Sequence, residues 1–148
     1  MGEMVYHYNT WWWGKSVNII ACGGHGICEV QFDSMFPEVA FVRDLSVTEE
    51  MRGQGVAKIL LQECERFAVN NGCKVIQLDA ERGGWCAEWY KRLGFVVTKK
   101  RKQVFEMQKT IKYNVEILFW RLKSVFGLLP VIFWEDLLRL SQHLFLQE

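Results

Sequence analysis

The chain carries no cluster of metal-binding spacing. None of its five cysteines, Cys22, Cys28, Cys64, Cys73 and Cys86, forms a Cys-x-x-Cys pair, and its three histidines do not stand at zinc spacing. No metal is therefore assigned. An odd cysteine count with no secretory leader in view is the pattern expected of reduced, cytosolic thiols. A thiol nucleophile would need a base beside it, and the sequence offers none. The formal net charge is only +1, so nothing draws the whole chain toward nucleic acid or an anionic membrane. The basic run Lys99-Lys100-Arg101-Lys102 reads as a solvated hairpin tip rather than a nucleic-acid site. No apolar run reaches the roughly 18 residues expected of a membrane-spanning helix. Two nucleotide motifs are also missing. No Gly-Lys-Ser/Thr follows the glycines, which excludes a Walker P-loop. No Gly-x-Gly-x-x-Gly is present, which excludes the dinucleotide fingerprint.

Half of the 148 residues are hydrophobic, enough for a packed core, and one domain is the default at this length. Met1 to Lys15 reads as irregular and aromatic. Trp11, Trp12 and Trp13 cannot share one side of a helix or strand, so some indole surface must meet another element, a ligand or a partner. Val17 to Cys22 and Ile27 to Phe32 read as strands joined by a glycine-rich loop, with His25 exposed at its tip. Val39 to Val47 is a longer strand. Val56, Ile59, Leu60, Cys64, Phe67 and Ala68 recur at helical spacing, and Asn70-Asn71-Gly72 ends that helix. Lys74 to Leu78 is the next strand. Strand, helix and strand in this order predict a parallel βαβ unit. A short helix to Leu93 and a final hairpin, Phe95 to Thr98 with Val104 to Gln108, complete the pattern.

Between the long strand and the long helix stands Arg52-Gly53-Gln54-Gly55-Val56-Ala57. A glycine turn that opens a helix gathers backbone N–H groups at the positive end of the helix dipole and suits an anion. The hexapeptide alone fits a plain strand-to-helix turn equally well. Its surroundings add to it. Arg52, Gly55 and Ala57 fill the R/Q-x-x-G-x-G/A pattern of the acetyl-CoA loop in the GNAT N-acetyltransferases. Asp44-Leu45-Ser46-Val47 resembles the end of that family's central strand, and Lys74 to Leu78 its next strand. Ala87 to Phe95 resembles its late helix, tyrosine and Gly-Phe exit.

The resemblance spans roughly residues 39 to 109 and implies an α/β fold, a mixed central sheet flanked by helices, over residues 1–110. It further implies an acetyl-CoA-dependent N-acetyltransferase acting on a primary amine. The main chain of Leu45, Ser46 and Val47 matches the segment that holds the pantetheine arm. Gly53, Gln54, Gly55, Val56, Ala57 and Lys58 match the pyrophosphate loop, with Arg52 and Lys58 adding charge. Tyr90 matches the tyrosine that serves as general acid to the leaving thiolate. Asp79 or Glu81 would be the base, or a solvated loop carboxylate.

Two departures stand out. The family's early helices, which help wall the acceptor site, have no room before Val17. Residues 111–148 are rich in Leu, Ile, Phe and Trp, broken at Gly127 to Pro130, and read as a helical hairpin extension. That extension is expected to pack on the domain or on a second copy in a homodimer, without spanning a membrane. A non-catalytic CoA-binding or assembly module using this extension is one rival reading, and a peripheral membrane protein working through it is another.

Overall fold

The structure, a computed structural model, describes residues 2–112. The expected extension therefore lies outside the described residues, apart from its first two positions. The compact unit ends at Ile111, which is buried and donates its backbone N–H to the Lys74 carbonyl at 2.8 Å.

Among the described residues, seven strands form one sheet: β1 (Val5–Trp11), β2 (Gly14–Ala21), β3 (Gly26–Asp33), β4 (Val39–Val47), β5 (Val75–Glu81), β6 (Val96–Lys100) and β7 (Val104–Thr110). Their spatial order is β1-β2-β3-β4-β5-β7-β6. Among these strands only β4 and β5 pair in parallel, and helix α1 (Val56–Asn70) makes the crossover between them. Helix α2 (Trp85–Arg92) follows β5. This is the mixed sheet flanked by helices that the resemblance implies.

Three expectations are corrected. The first fifteen residues are not irregular, because β1 pairs with β2 from Val5↔Ile20 to Trp11↔Gly14. The strand alternates. Tyr6 and Tyr8 meet Phe67 of α1 edge-on, while Val5, His7, Asn9 and Trp11 take the other face. The tight turn at Trp12 and Trp13 leaves Trp12 95% exposed, whereas Trp11 and Trp13 pack edge to face, 4.9 Å between centroids. Strand β5 runs three residues beyond Leu78, so Asp79 and Glu81 lie inside it, opposite Glu106 and Val104. Strand β7 likewise continues past Gln108, to Thr110.

Among the described residues, both helices cover the same face of the sheet. Leu60, Cys64 and Phe67 of α1 are buried with Cys28, Val30, Val42 and Ile76 from the strands. Ala87 and Tyr90 of α2 enter that same core beside Leu78 and Phe95. Each fully buried large side chain contributes about 1.5–3 kcal/mol, so this single interface dominates the stability. Helix α1 also comes very close to the sheet. A Cβ at Gly26 would lie 2.6 Å from Val56 Cγ1 and 3.1 Å from Leu60 Cδ1. Valine is stiff at χ1 and Val56 opens the helix, so relief requires moving α1 itself. Gly26→Ala is therefore expected to destabilise the fold by about 1–3 kcal/mol, read as a lower urea midpoint. An unchanged midpoint would mean that α1 shifts freely on the sheet.

The opposite face carries no helix among the described residues. Its rows follow from the register: Asn9, Ser16, Gln31 and Phe41 in one, and His7, Asn18, Glu29 and Arg43 in the next. Among the described residues no helix stands between β1 and β2, which a tight turn at Trp12 and Trp13 joins.

Candidate active site

The site is built where the sheet splits. Strands β4 and β5 are paired only at Val39↔Val75, Ala40↔Ile76 and Phe41↔Gln77. Beyond that point β4 stays with β3 and β5 stays with β7, so a gap opens between Val42–Val47 and Leu78–Glu81. The main chain of β4 facing this gap has no strand to pair with among the described residues. One of its carbonyls is claimed from below, because Arg52 Nε donates to Val47 O at 3.2 Å.

A β-bulge re-aims β4 at the gap. Two residues, Asp44 and Leu45, stand opposite the single residue Cys28, and Asp44 adopts φ 49°. Aspartate tolerates the left-handed region better than most side chains. The bulge immediately precedes Leu45, Ser46 and Val47. Nothing in the sequence pattern announced it, since a bulge is a property of two strands together.

From Val47 the chain passes a short 3₁₀ turn, Glu49–Met51, and reaches the glycine turn. His25 braces this passage: its carbonyl accepts from Thr48 N at 2.8 Å, and its Nδ1 lies 3.0 Å from Thr48 Oγ1 and 3.4 Å from a Glu50 carboxylate oxygen. His25 is exposed, as its place at the loop tip predicts, and it also braces the approach to α1. Gly53 and Gly55 have φ of 75° and 82°, and a Cβ on either would meet open space. Gly55 caps α1 with no side-chain hydrogen bond, and the first turn of α1 holds no acidic residue. The opening N–H groups of a helix have no intrahelical acceptors, so Gly55 to Lys58 present donors and an unopposed dipole to that space. Lys58 is exposed and forms no ion pair among the described residues. An opening of this kind suits an anionic group.

Tyr90 lies on the helix-covered face. Its ring packs edge-on against Phe95 at 5.6 Å and beside Trp89 at 5.0 Å. Burial, then the neighbouring Cys86, Cys28 and Cys64 thiols, push its ionisation well above the usual phenol range. Its hydroxyl makes no hydrogen bond among the described residues, yet it is not sealed off from solvent. Asp79 and Glu81 project from the opposite face of β5. Asp79 lies 3.9 Å from Arg101 Nη1, whose Nη2 is held by Glu106 at 2.9 Å. The basic tip is thereby partly tied to β5 and β7. The candidate acid and the candidate bases thus flank the split sheet from opposite sides.

This arrangement has known counterparts. A family model described as the acetyltransferase (GNAT) domain matches residues 7–97, most of the described unit. The chain belongs to the GNAT acetyltransferase family. An uncharacterized N-acetyltransferase of Methanocaldococcus jannaschii is 30% identical over 100 residues, 66% of this chain but only 42% of that protein. The fold is shared with solved acetyltransferases. The PaiA N-acetyltransferase from Thermoplasma acidophilum, in complex with coenzyme A, superposes with a TM-score of 0.56 at 22% identity, covering 64% of this chain and 59% of that one. An acetyltransferase from Bacillus cereus gives 0.54 at 20% identity, covering 71% and 74%. No helix among the described residues is long and apolar enough to cross a membrane.

Proposed function

We propose that the chain transfers an acetyl group from acetyl-CoA to a primary amine by direct attack. One observation carries this reading: the edge of β4, unpaired among the described residues, leads through a 3₁₀ turn and the glycine turn to a helix N-terminus with no side-chain cap. An acyl thioester with a diphosphate at its far end has the matching sequence of groups. In this reading the main chain of Leu45, Ser46 and Val47 pairs with the pantetheine amides. The N–H groups of Gly53, Gln54, Gly55, Val56, Ala57 and Lys58 hold the pyrophosphate, with Arg52 and Lys58 supplying positive charge.

Acetyl-CoA supplies the activated acyl group. A carbon–nitrogen bond forms as the carbon–sulfur bond breaks, the amine loses a proton and the sulfur gains one. Tyr90 is the donor to the sulfur. Its burial keeps it a neutral phenol, so it always has a proton to offer. Asp79 or Glu81 accepts the amine's proton, directly or through water. Both reach solvent, which lets the proton leave.

The test is release of CoA from acetyl-CoA in the presence of primary amines, followed by chromatography so that the protein's own thiols do not interfere. Amine-dependent CoA release with an acetylated product is expected. Tight acetyl-CoA binding with no release for any amine would replace the enzyme with a CoA-binding module.

A further inference from the structure

A groove of about 460 Å³ lies on the face of the sheet that carries no helix among the described residues. That volume is in the range of small-molecule sites. Its walls include His7, Asn18, Glu29 and Asp44, over a floor that includes Ile20 and Ile27. The register places His7, Asn18 and Glu29 directly abreast on β1, β2 and β3; Arg43 stands opposite Glu29 on β4, and Asp44, the next residue and part of the bulge, also lines the groove. Asp44 also directly precedes Leu45, on the strand that borders the gap between β4 and β5.

The charge in this groove is one-sided. Glu29 and Asp44 line it, and among the described residues no lysine or arginine does. Neither carboxylate has an ion pair among the described residues. The natural neutralising partner of Glu29 would be Arg43, its cross-strand neighbour. Instead, the Arg43 guanidinium lies over the Phe41 ring, 5.7 Å from the centroid, at the next step along β4 away from the groove. A pair of carboxylates beside an apolar floor, with the nearest cation turned aside, suits an alkyl chain ending in a positive group.

We propose that this groove is the acceptor site and that the acceptor is a short-chain amine bearing a second cationic centre, held between Glu29 and Asp44. This rests on the acetyl-transfer reading above and adds the substrate class. The held cation is the non-reacting end. The attacking nitrogen must be neutral, and a carboxylate pair stabilises the protonated form. The groove therefore grips the far nitrogen and leaves the near one toward the gap beside Leu45.

Three four-carbon amines isolate the distal group: 1,4-diaminobutane, butylamine and 4-aminobutanoate. With the full chain and saturating acetyl-CoA, kcat/KM is expected to favour the diamine over butylamine by about tenfold, the scale of one charge-assisted hydrogen bond, and to disfavour 4-aminobutanoate further. Glu29→Gln and Asp44→Asn should each shrink the diamine advantage severalfold; asparagine keeps the left-handed backbone within reach. Equal use of the three amines, preference for 4-aminobutanoate, or an undiminished diamine advantage in both variants overturns the proposal. Calorimetric titration of 1,4-diaminobutane into the CoA-bound protein separates the two readings. If no amine is acetylated, acetyl transfer fails, while diamine binding that weakens in Glu29→Gln still upholds the groove. Absent diamine binding, or binding untouched by Glu29→Gln, removes it.

Discussion

Replacing Tyr90 with phenylalanine is expected to lower turnover by about 10²–10⁴-fold, the usual worth of a positioned general acid, while acetyl-CoA affinity changes little. The substitution removes one oxygen and keeps the ring. Phe95 and Trp89 retain their partner, and Tyr90's place in the core is filled as before. Stability should hold, because the hydroxyl gives up no hydrogen bond among the described residues. The pH dependence is a second readout. Burial and the nearby thiols raise the ionisation of Tyr90 above the ordinary 10.0 of a free phenol. Stability linked to the neutral phenol is therefore fully present below about pH 10 and is lost as pH rises through the higher folded value. Tyr90→Phe should lack that alkaline loss. In the wild type, no fall in rate at mildly alkaline pH should come from Tyr90 losing its proton. Wild-type kinetics in the phenylalanine variant, measured with chemistry rate-limiting, would leave Tyr90 a packing residue.

The segments legible in the sequence were those whose chemistry is local. The glycine turn, the apolar period of α1 and the exit at Asn71 and Gly72 are each written within a few residues, and each lies where expected. Strand β1 was not legible. Its inner face is tyrosine and its outer face histidine and asparagine, so it shows no apolar alternation; it becomes a strand because β2 offers a register and Phe67 offers an aromatic partner. The end of β5 was misplaced for a similar reason. Asp79 and Glu81 look like loop residues until Glu106 and Val104 pair with them across the sheet.

Pairing between strands also made the candidate site more than its motif. Asp44 is unremarkable in sequence, yet it is part of the bulge opposite Cys28, on the strand that borders the gap, and it lines the groove. Glu29 lies in an ordinary alternating strand, and only its row with Asn18 and His7 gives it a role. The lack of a helix between β1 and β2 among the described residues has a physical consequence as well. A sheet face that reads Asn9, Ser16, Gln31, Phe41 and His7, Asn18, Glu29, Arg43 mixes polar groups with the apolar Ile20 and Ile27, and that mixture suits an amphiphilic ligand.

Gly55→Val is expected to reduce acetyl-CoA affinity by at least about a hundredfold, or roughly 2.7 kcal/mol. Two effects act together and must be separated. At φ 82° any β-branched side chain strains the backbone. The new side chain would also project into the open space in front of the first N–H groups of α1, where the phosphates would approach. Gly72 supplies the control. It lies just past the other end of the same helix with φ 75°, and a Cβ there likewise meets nothing within 4 Å. Gly72→Val should therefore impose a comparable backbone cost on α1, seen as a similar drop in melting temperature, while leaving the phosphate cradle open. The expected result is that calorimetry detects acetyl-CoA binding to Gly72→Val near the wild-type affinity and little or none to Gly55→Val, with both proteins folded by circular dichroism. Equal affinities in the two variants would mean that strain alone decides the outcome and that the pyrophosphate does not sit on this turn.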